Sequence, residues 1–214
     1  MSHLFRWHSK LSANMTGPLV GKEPLHLQQS DLDGACGHHC ALMALMLLGH
    51  VTRNQLDGSK RNNKALAKFW KTASPYYFTG SKAPKLASFF KPYHDEINCQ
   101  VITESFEAAI KATLDADGLC IIGLQNAAME HWTLVVGIGG LEGSKQQKLL
   151  LLDPGSPPLP LLAWNATLTL NATRRGLHEY EAASGFTKVC LSDVVCLLPS
   201  IVEIDLDLVD FDVD

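Results

Sequence analysis

Hydrophobic and polar residues follow two different patterns in the two halves of the chain. Between residues 33 and 114 apolar side chains recur at helical spacing, with Gly34 and Gly37 bracketing a turn before the first run and Ser105 placed to cap the last. These runs predict four helices, at residues 41–48, 63–72, 84–90 and 106–114. The first run carries no charged residue, so we expect that helix to be buried.

From residue 119 onward the apolar runs become short and are separated by Gly, Pro and Asn, which is typical of strands and turns. The clearest strands are predicted at residues 119–124, 132–138 and 149–152, and further ones at 186–191 and 194–198. The second and third strands are expected to pair as a hairpin across residues 139–147. A short helix around Ser192 is the alternative in the last region, and residues 157–185 are left without an assigned role.

These patterns predict an α+β fold of papain-like type, in which an N-terminal helical half packs on a C-terminal antiparallel β-sheet in two layers. We expect one domain over residues 26–204, an N-terminal extension over residues 1–25 and an acidic tail over residues 205–214, which is an edge strand or a frayed end. The cleft between the two layers is where we expect a functional site.

Composition excludes several classes of function. Hydrophobic residues make up 46% and charged residues 19% of the chain, which is typical of a globular protein. The net charge of -4 and the absence of a basic stripe argue against nucleic-acid binding. The longest apolar run, residues 40–48, is too short to cross a bilayer. The first 22 residues do not resemble a secretion signal, so we expect cytoplasmic synthesis and free thiols for the six cysteines.

Cys36 is the candidate nucleophile. It lies in the sequence Asp33-Gly34-Ala35-Cys36-Gly37, directly before the predicted buried helix. A helix N-terminus stabilises a thiolate through its unpaired N–H groups and its dipole, and the glycines allow substrate to approach closely. The alternative is a buried cysteine that serves only as a small apolar residue.

His131 and Asp153 are the candidate partners of the thiol. His131 opens the strand predicted at 132–138, where its ring can act as general base and acid beside Trp132. Asp153 ends the strand predicted at 149–152 and returns to the level of His131 in the hairpin, where a carboxylate would orient the imidazole. Each residue alone would equally fit a structural role at a strand end.

An acyl-transfer site also needs donors for the oxyanion that develops on the substrate carbonyl. The backbone N–H of Cys36 is one expected donor. Gln29 is the expected side-chain donor, with Gln28 as the fallback. A glutamine upstream of a cysteine is a weak signal, because glutamine is common in loops.

Taken together, these elements resemble the papain-like clan, and within it the bacteriocin-processing peptidases that remove leader peptides after a double glycine. The resemblance is carried by Gln29, by Cys36-Gly37 with the apolar run 41–48, by the His131-Trp132 strand, and by the aliphatic strand that ends in Asp153-Pro154. It covers residues 29–155. Four features depart from the family: an extra residue between Gln29 and Cys36, Ala35 in place of a frequent Asp, His38 in place of a usual Pro, and a longer segment between His131 and Asp153.

The resemblance implies a cysteine peptidase with a Cys-His-Asp triad, a protein or peptide substrate cleaved after small residues such as Gly-Gly, and no metal or organic cofactor. The chain shows no transporter portion, so we expect a free-standing bacterial enzyme. The absent signal peptide motivates the hypothesis of a toxin or effector delivered to another cell by a dedicated secretion system, with an immunity protein as a further partner.

Four alternatives remain open at this point. Cys36, His38, His39 and Cys40 form a compact group that could bind zinc, although a structural zinc site usually has two separated ligand pairs. Cys40 could be the nucleophile, although burial one turn inside the helix would raise its pKa. The same triad could serve a glutamine deamidase or amidase. A catalytically inactive peptide-binding domain is the non-enzymatic alternative.

Overall fold

The structure, a computed structural model, describes residues 3–56, 63–141, 147–170, 173 and 176–200. Within these ranges the chain forms five α-helices: α1 Cys36–Leu48, α2 Arg53–Leu56, α3 Lys64–Ala73, α4 Ala83–Ser88 and α5 Phe106–Asp115. It also forms eleven strands: β1 His3–Trp7, β2 Leu11–Asn14, β3 Gly17–Val20, β4 Glu23–Pro24, β5 Ile97–Ile102, β6 Leu119–Asn126, β7 Met129–Leu141, β8 Gln147–Leu152, β9 Ala166–Thr169, β10 His178–Ala182 and β11 Gly185–Pro199.

Six antiparallel strands close into a barrel in the order β7-β6-β11-β10-β9-β8, and β8 pairs back with β7. Two further strands extend this sheet, since β1 pairs with β7 and β5 pairs with β11. Strands β2, β3 and β4 form a separate three-stranded antiparallel sheet. Closure leaves the six barrel strands without free edges.

The predicted two-layer arrangement, a helical half packed on an antiparallel sheet, is therefore wrong. The cause lies in residues 157–185, which received no element in the prediction. Strands β9 and β10 lie there, and they connect β8 to β11 and so close the sheet on itself. The helical pattern between residues 33 and 114 is also interrupted, because β5 lies within it.

Alternation along the barrel strands divides the apolar side chains between two clusters. In β6, Cys120 and Ile122 belong to the cluster that includes side chains from β8, β9, β10 and helix α5, whereas Leu119 and Ile121 belong to the cluster around α1, α3 and α4. Successive side chains of a strand point to opposite faces. Both faces of β6 and β8 are buried, which explains why their sequences are continuous apolar runs.

Most of the predicted elements occur, with shifted ends. Helix α1 starts at Cys36, five residues before the predicted start at residue 41, and Asn63 caps α3 by accepting from the Leu66 N–H at 2.9 Å. Ser105 does not cap α5 with its side chain. The two last predicted strands are one strand, β11, and Ser192 lies at a bulge in its pairing with β6 rather than in a helix.

The N-terminal residues predicted as an extension form strands, and β1 extends the barrel sheet. The proposed tail at residues 205–214 lies outside the described residues. Among the helices of the described ranges, none has the length and apolar character needed to cross a membrane.

Candidate active site

Cys36 is the first residue of helix α1 and is 8% exposed. The turn before it is fixed by Asp33, whose carboxylate accepts from the Ala35 N–H at 2.9 Å and from the Ser30 hydroxyl at 2.8 Å. Gly34 has no room for a side chain, since an added Cβ would lie 2.7 Å from the carbonyl oxygen of Phe78. The thiol is thus held at a helix N-terminus, where first-turn N–H groups lack partners within the helix and favour negative charge.

His131 and Asp153 meet as the hairpin prediction required. Strands β7 and β8 pair with Leu134 opposite Leu152, so the residue after β8 returns to the level of the first half of β7. The Nε2 atom of His131 lies 2.5 Å from Oδ1 of Asp153. This bond uses Nε2 and leaves Nδ1 as the ring nitrogen available to the Cys36 thiol.

Asp153 is 3% exposed, and its carboxylate is surrounded by donors. Its Oδ1 also accepts from the Gly155 N–H at 2.8 Å, while Oδ2 accepts from the Ser156 hydroxyl at 3.1 Å and from the Tyr180 hydroxyl. The backbone of Gly155 packs on the imidazole, because an added Cβ there would lie 3.4 Å from Cε1 of His131. A buried carboxylate with four donors is fixed in one orientation.

The pKa values of the pair move in opposite directions. Burial lowers the pKa of His131, but the hydrogen bonds with Asp153 and Cys36 and the charges of both partners outweigh it and raise that pKa to about 10. Burial raises the pKa of Asp153, but the hydrogen bond and charge of His131, with the Tyr180 and Gly155 donors, hold it below its usual value. The site therefore favours an imidazolium between two groups that carry or can acquire negative charge.

Gln29 lies at the same cleft as Cys36 and His131. Its backbone N–H donates to the carbonyl of Pro154 at 2.8 Å, which ties this loop to the turn that carries Asp153. Its side-chain Nε2 donates one hydrogen to the carbonyl of Asp33 at 2.6 Å and retains a second. Gln28, the fallback, is exposed, whereas Gln29 is half-buried.

The cleft has a volume of about 520 Å³ and runs between the loop 79–82 and the barrel. Its barrel side is formed by residues 123–125, 130–132 and the bulge 192–193. Trp132 forms part of the floor, with Nε1 donating to the carbonyl of Ser81 at 2.9 Å. Lys82 and Glu130, 3.2 Å apart, lie exposed at the rim.

Cys40 lies inside helix α1 with no exposed surface, and its thiol faces the carbonyl of Trp132 at 3.4 Å. Burial raises the pKa of this thiol well above its ordinary value, and the charges of Cys36 and Asp153 add to the effect. A neutral, inaccessible thiol is a poor nucleophile. This geometry favours Cys36 over Cys40.

The four-residue group considered for zinc does not converge. His38 is buried, with Nε2 2.7 Å from the carbonyl of Ala73, and Nδ1 of His39 lies 2.9 Å from the carbonyl of Ala35. Among the residues that the structure describes, no group of three or more His, Cys, Asp or Glu side chains is arranged to hold a metal ion.

Three residues that hold Asp153 in place were not predicted from the sequence. Tyr180 and Ser156 bind its carboxylate, and the buried Asn165 accepts from its N–H at 2.7 Å and donates to its carbonyl at 2.8 Å. Asn165 and Tyr180 lie in the segment 157–185, which received no predicted element, and Ser156 directly precedes it. The alternation His178-Glu179-Tyr180-Glu181 was the available signal, since it predicts a strand with Tyr180 on the buried face.

Comparisons with known proteins add little to this geometry. No protein-family model matches the chain, and no curated protein matches it. Among the solved structures that match is UfSP from C. elegans, with a TM-score of 0.40 and 10% sequence identity, covering 89% of this chain and 34% of that one. The chain thus spans about a third of the length of UfSP, and a similarity this distant transfers no function. The resemblance to bacteriocin-processing peptidases has no support from the sequence comparisons and stays a prediction.

Proposed function

We propose that this protein is a cysteine peptidase in which Cys36 is the nucleophile, His131 the general acid and base, and Asp153 the residue that orients His131. One observation carries the proposal. A cysteine at a helix N-terminus and an imidazole line one cleft, a buried carboxylate lies 2.5 Å from the imidazole, and the thiol contributes to the raised pKa of the imidazole.

The mechanism follows from these positions. The Cys36 sulfur, as thiolate, forms a bond to the substrate carbonyl carbon, and the N–H of Cys36 with the second hydrogen of Gln29 Nε2 stabilises the oxyanion. His131 then gives its proton to the leaving amine as the C–N bond breaks, which leaves a thioester. Water, deprotonated by His131, attacks the thioester and releases the acid and the thiol.

The substrate in this proposal is an extended peptide. The cleft is lined on two sides, by the loop 79–82 and by residues 123–125 near the end of β6, and its volume of about 520 Å³ can hold a few residues. Trp132 narrows it, since its ring lies 3.3 Å from the position of a Cβ added at Gly37 and also at Gly123. A narrow floor favours small residues beside the cleaved bond, in line with the expected Gly-Gly preference.

The first test is alkylation followed by intact mass. We would treat folded protein with iodoacetamide from about pH 5 to about pH 9 and compare wild type with Cys36→Ala, Cys40→Ala and His131→Ala. One fast-reacting thiol is expected, lost in Cys36→Ala, retained in Cys40→Ala and slowed at low pH in His131→Ala. Uniformly slow labelling of folded wild type would contradict the proposal and favour the inactive peptide-binding domain.

The second test separates peptidase from amidase chemistry. A peptide library that contains Gly-Gly sequences would be incubated with wild type and Cys36→Ala, and the products analysed by mass spectrometry. Cleavage into two peptides by wild type alone is the expected result. A mass gain of about one unit at glutamine without cleavage would instead identify a deamidase, because hydrolysis of the side-chain amide replaces NH₂ with OH.

We further propose that the enzyme acts as a delivered bacterial toxin, with an immunity protein as its inhibitor. This rests on the sequence expectations alone. Wild type and Cys36→Ala would be expressed in the cytoplasm of a bacterial host, and growth arrest by wild type alone is expected. Equal growth at equal protein level would refute this role and leave the peptidase proposal intact.

A further inference from the structure

Tyr180 lies on β10 and is 4% exposed, inside the apolar cluster that fills the barrel. Its hydroxyl donates to Oδ2 of Asp153, across 27 residues of sequence. The strands on either side of it, β9 and β11, fix the position of its backbone, with Tyr180 opposite Leu168 and Thr187. The phenol is therefore a rigid group that reaches the catalytic carboxylate from the barrel wall.

The donors around Asp153 fall into two kinds. Gly155 and Ser156 belong to the same turn as Asp153, so they hold the carboxylate relative to that turn. His131 and Tyr180 lie on other strands, β7 and β10, and bind different oxygens of the carboxylate. Ser156 shares Oδ2 with Tyr180, so Tyr180 is the donor in the described chain that ties this oxygen to another strand of the barrel.

We propose that Tyr180 is a positioning residue for the hydrolase reaction, which holds the Asp153 carboxylate so that Oδ1 faces Nε2 of His131. This inference rests on the proposed function. Tyr180 acts through Asp153 and does not touch the thiol or the substrate cleft. Its role is to keep the imidazole oriented with Nδ1 toward Cys36.

Every titratable group near the carboxylate must be considered in a test. His131 on β7, Cys40 on α1 and His26 before α1 interact with Asp153 in addition to Tyr180, and Cys36 interacts with His131. His26 contacts the backbone carbonyl of Asp153 at 2.9 Å rather than its carboxylate. Removing the Tyr180 hydroxyl alters none of these groups directly, so a shift in His131 reports the orientation of Asp153.

The two explanations of Tyr180 predict shifts of opposite sign. If the hydroxyl only weakens the interaction of the Asp153 carboxylate with His131, then Tyr180→Phe makes that carboxylate a stronger acceptor. The pKa of His131 then rises or is unchanged. If the hydroxyl positions the carboxylate, then Tyr180→Phe lets it rotate, weakens the bond to Nε2 and lowers the pKa of His131. The sign of the shift therefore decides between them.

The experiment titrates His131 in the full chain by nitrogen-15 histidine NMR, with the resonance assigned from His131→Gln. Tyr180→Phe is compared with Tyr93→Phe, a matched control: Tyr93 is also buried, at 3% exposure, and its hydroxyl has no hydrogen-bond partner in the part of the chain that the structure describes. We expect Tyr180→Phe to lower the pKa of His131 by about one unit, a tenfold change, and Tyr93→Phe to leave it unchanged.

Turnover of a peptide cleaved by the wild type supplies the second readout. We expect kcat to fall about tenfold in Tyr180→Phe with KM little changed, because positioning affects the reacting groups and not the peptide. A raised or unshifted His131 pKa in folded Tyr180→Phe would overturn the inference. The proposed peptidase would be unaffected by that result, provided that Cys36 of the wild type is alkylated rapidly. Slow alkylation of Cys36 in wild type would refute the proposed function first, and the inference with it.

Discussion

Replacing Asp153 separates the charge of this residue from its shape. Asparagine has the same size and keeps one carbonyl oxygen for His131 and Gly155. Its amide nitrogen would then face the hydroxyls of Tyr180 and Ser156, which can accept as well as donate. Asp153→Asn therefore removes the charge and preserves the contacts, whereas Asp153→Ala removes both.

The size of the effect can be worked from the hydrogen bonds. A bond to a charged group contributes about 1.5 to 3 kcal/mol and one between neutral groups about 0.5 to 1.5 kcal/mol, so the difference is roughly 1 to 1.5 kcal/mol, or about one pKa unit. The pKa of His131 should fall by that amount in Asp153→Asn from its value of about 10. It should fall further in Asp153→Ala, where burial acts without a carboxylate or carbonyl to oppose it.

Asp153→Ala should also lower the free energy of unfolding more than Asp153→Asn does. Asp153→Ala leaves two hydroxyls, one N–H and the imidazole without their acceptor in a site where the aspartate is 3% exposed, and removal of one partner from a buried charged pair costs about 3 to 5 kcal/mol. Asp153→Asn should cost about 1 kcal/mol.

Three measurements check this reasoning: nitrogen-15 histidine NMR for His131, urea unfolding for stability, and the pH dependence of peptide turnover. Turnover requires protonated His131. The pH at which turnover is lost on the alkaline side should therefore be lower by about one unit in Asp153→Asn. A His131 pKa that is equal in wild type, Asp153→Asn and Asp153→Ala would refute the conclusion that the carboxylate holds the imidazolium. His131→Gln serves as the control that removes the titrating group.

Three further predictions follow from the same structure. Gly34→Ala should lower the free energy of unfolding by about 1 to 3 kcal/mol in urea titration, because the added Cβ would lie 2.7 Å from a backbone oxygen; an unchanged midpoint would contradict the tight turn before Cys36. Asn165→Ala should cost about 2 to 4 kcal/mol in the same assay and slow turnover, because the amide is 2% exposed and binds both the N–H and the carbonyl of Asp153; equal stability would show that this contact is dispensable. Stability should also depend on pH through His131: its pKa is higher in the folded chain, at about 10, than the ordinary 6.5, so its contribution is fully present below pH 6.5 and is lost as pH rises through about 10. Unfolding of wild type and His131→Gln on either side of this range measures the contribution, and parallel pH curves would contradict it.

The sequence alone identified Cys36 and His131, which line the cleft, and Asp153, which contacts His131. Cys36 stands out because it lies in a glycine-containing turn before an apolar run that predicts a buried helix, and it is the first residue of helix α1. The His131–Asp153 contact was predicted because a hairpin places the end of its second strand beside the start of its first. That placement depends only on the local pairing of β7 and β8. Their roles in catalysis remain predictions.

Only the tertiary structure decided the closed barrel and the surroundings of Asp153. Barrel closure depends on pairing among strands far apart in the chain. Strands β9 and β10 are short and have polar outer faces, so their sequences are difficult to distinguish from turns. Tyr180 reaches Asp153 because β10 closes the ring of strands, so no local pattern could place the two side chains together. Local patterns thus determined the buried helix that follows the candidate nucleophile and the hairpin, whereas long-range pairing determined which groups hold the carboxylate.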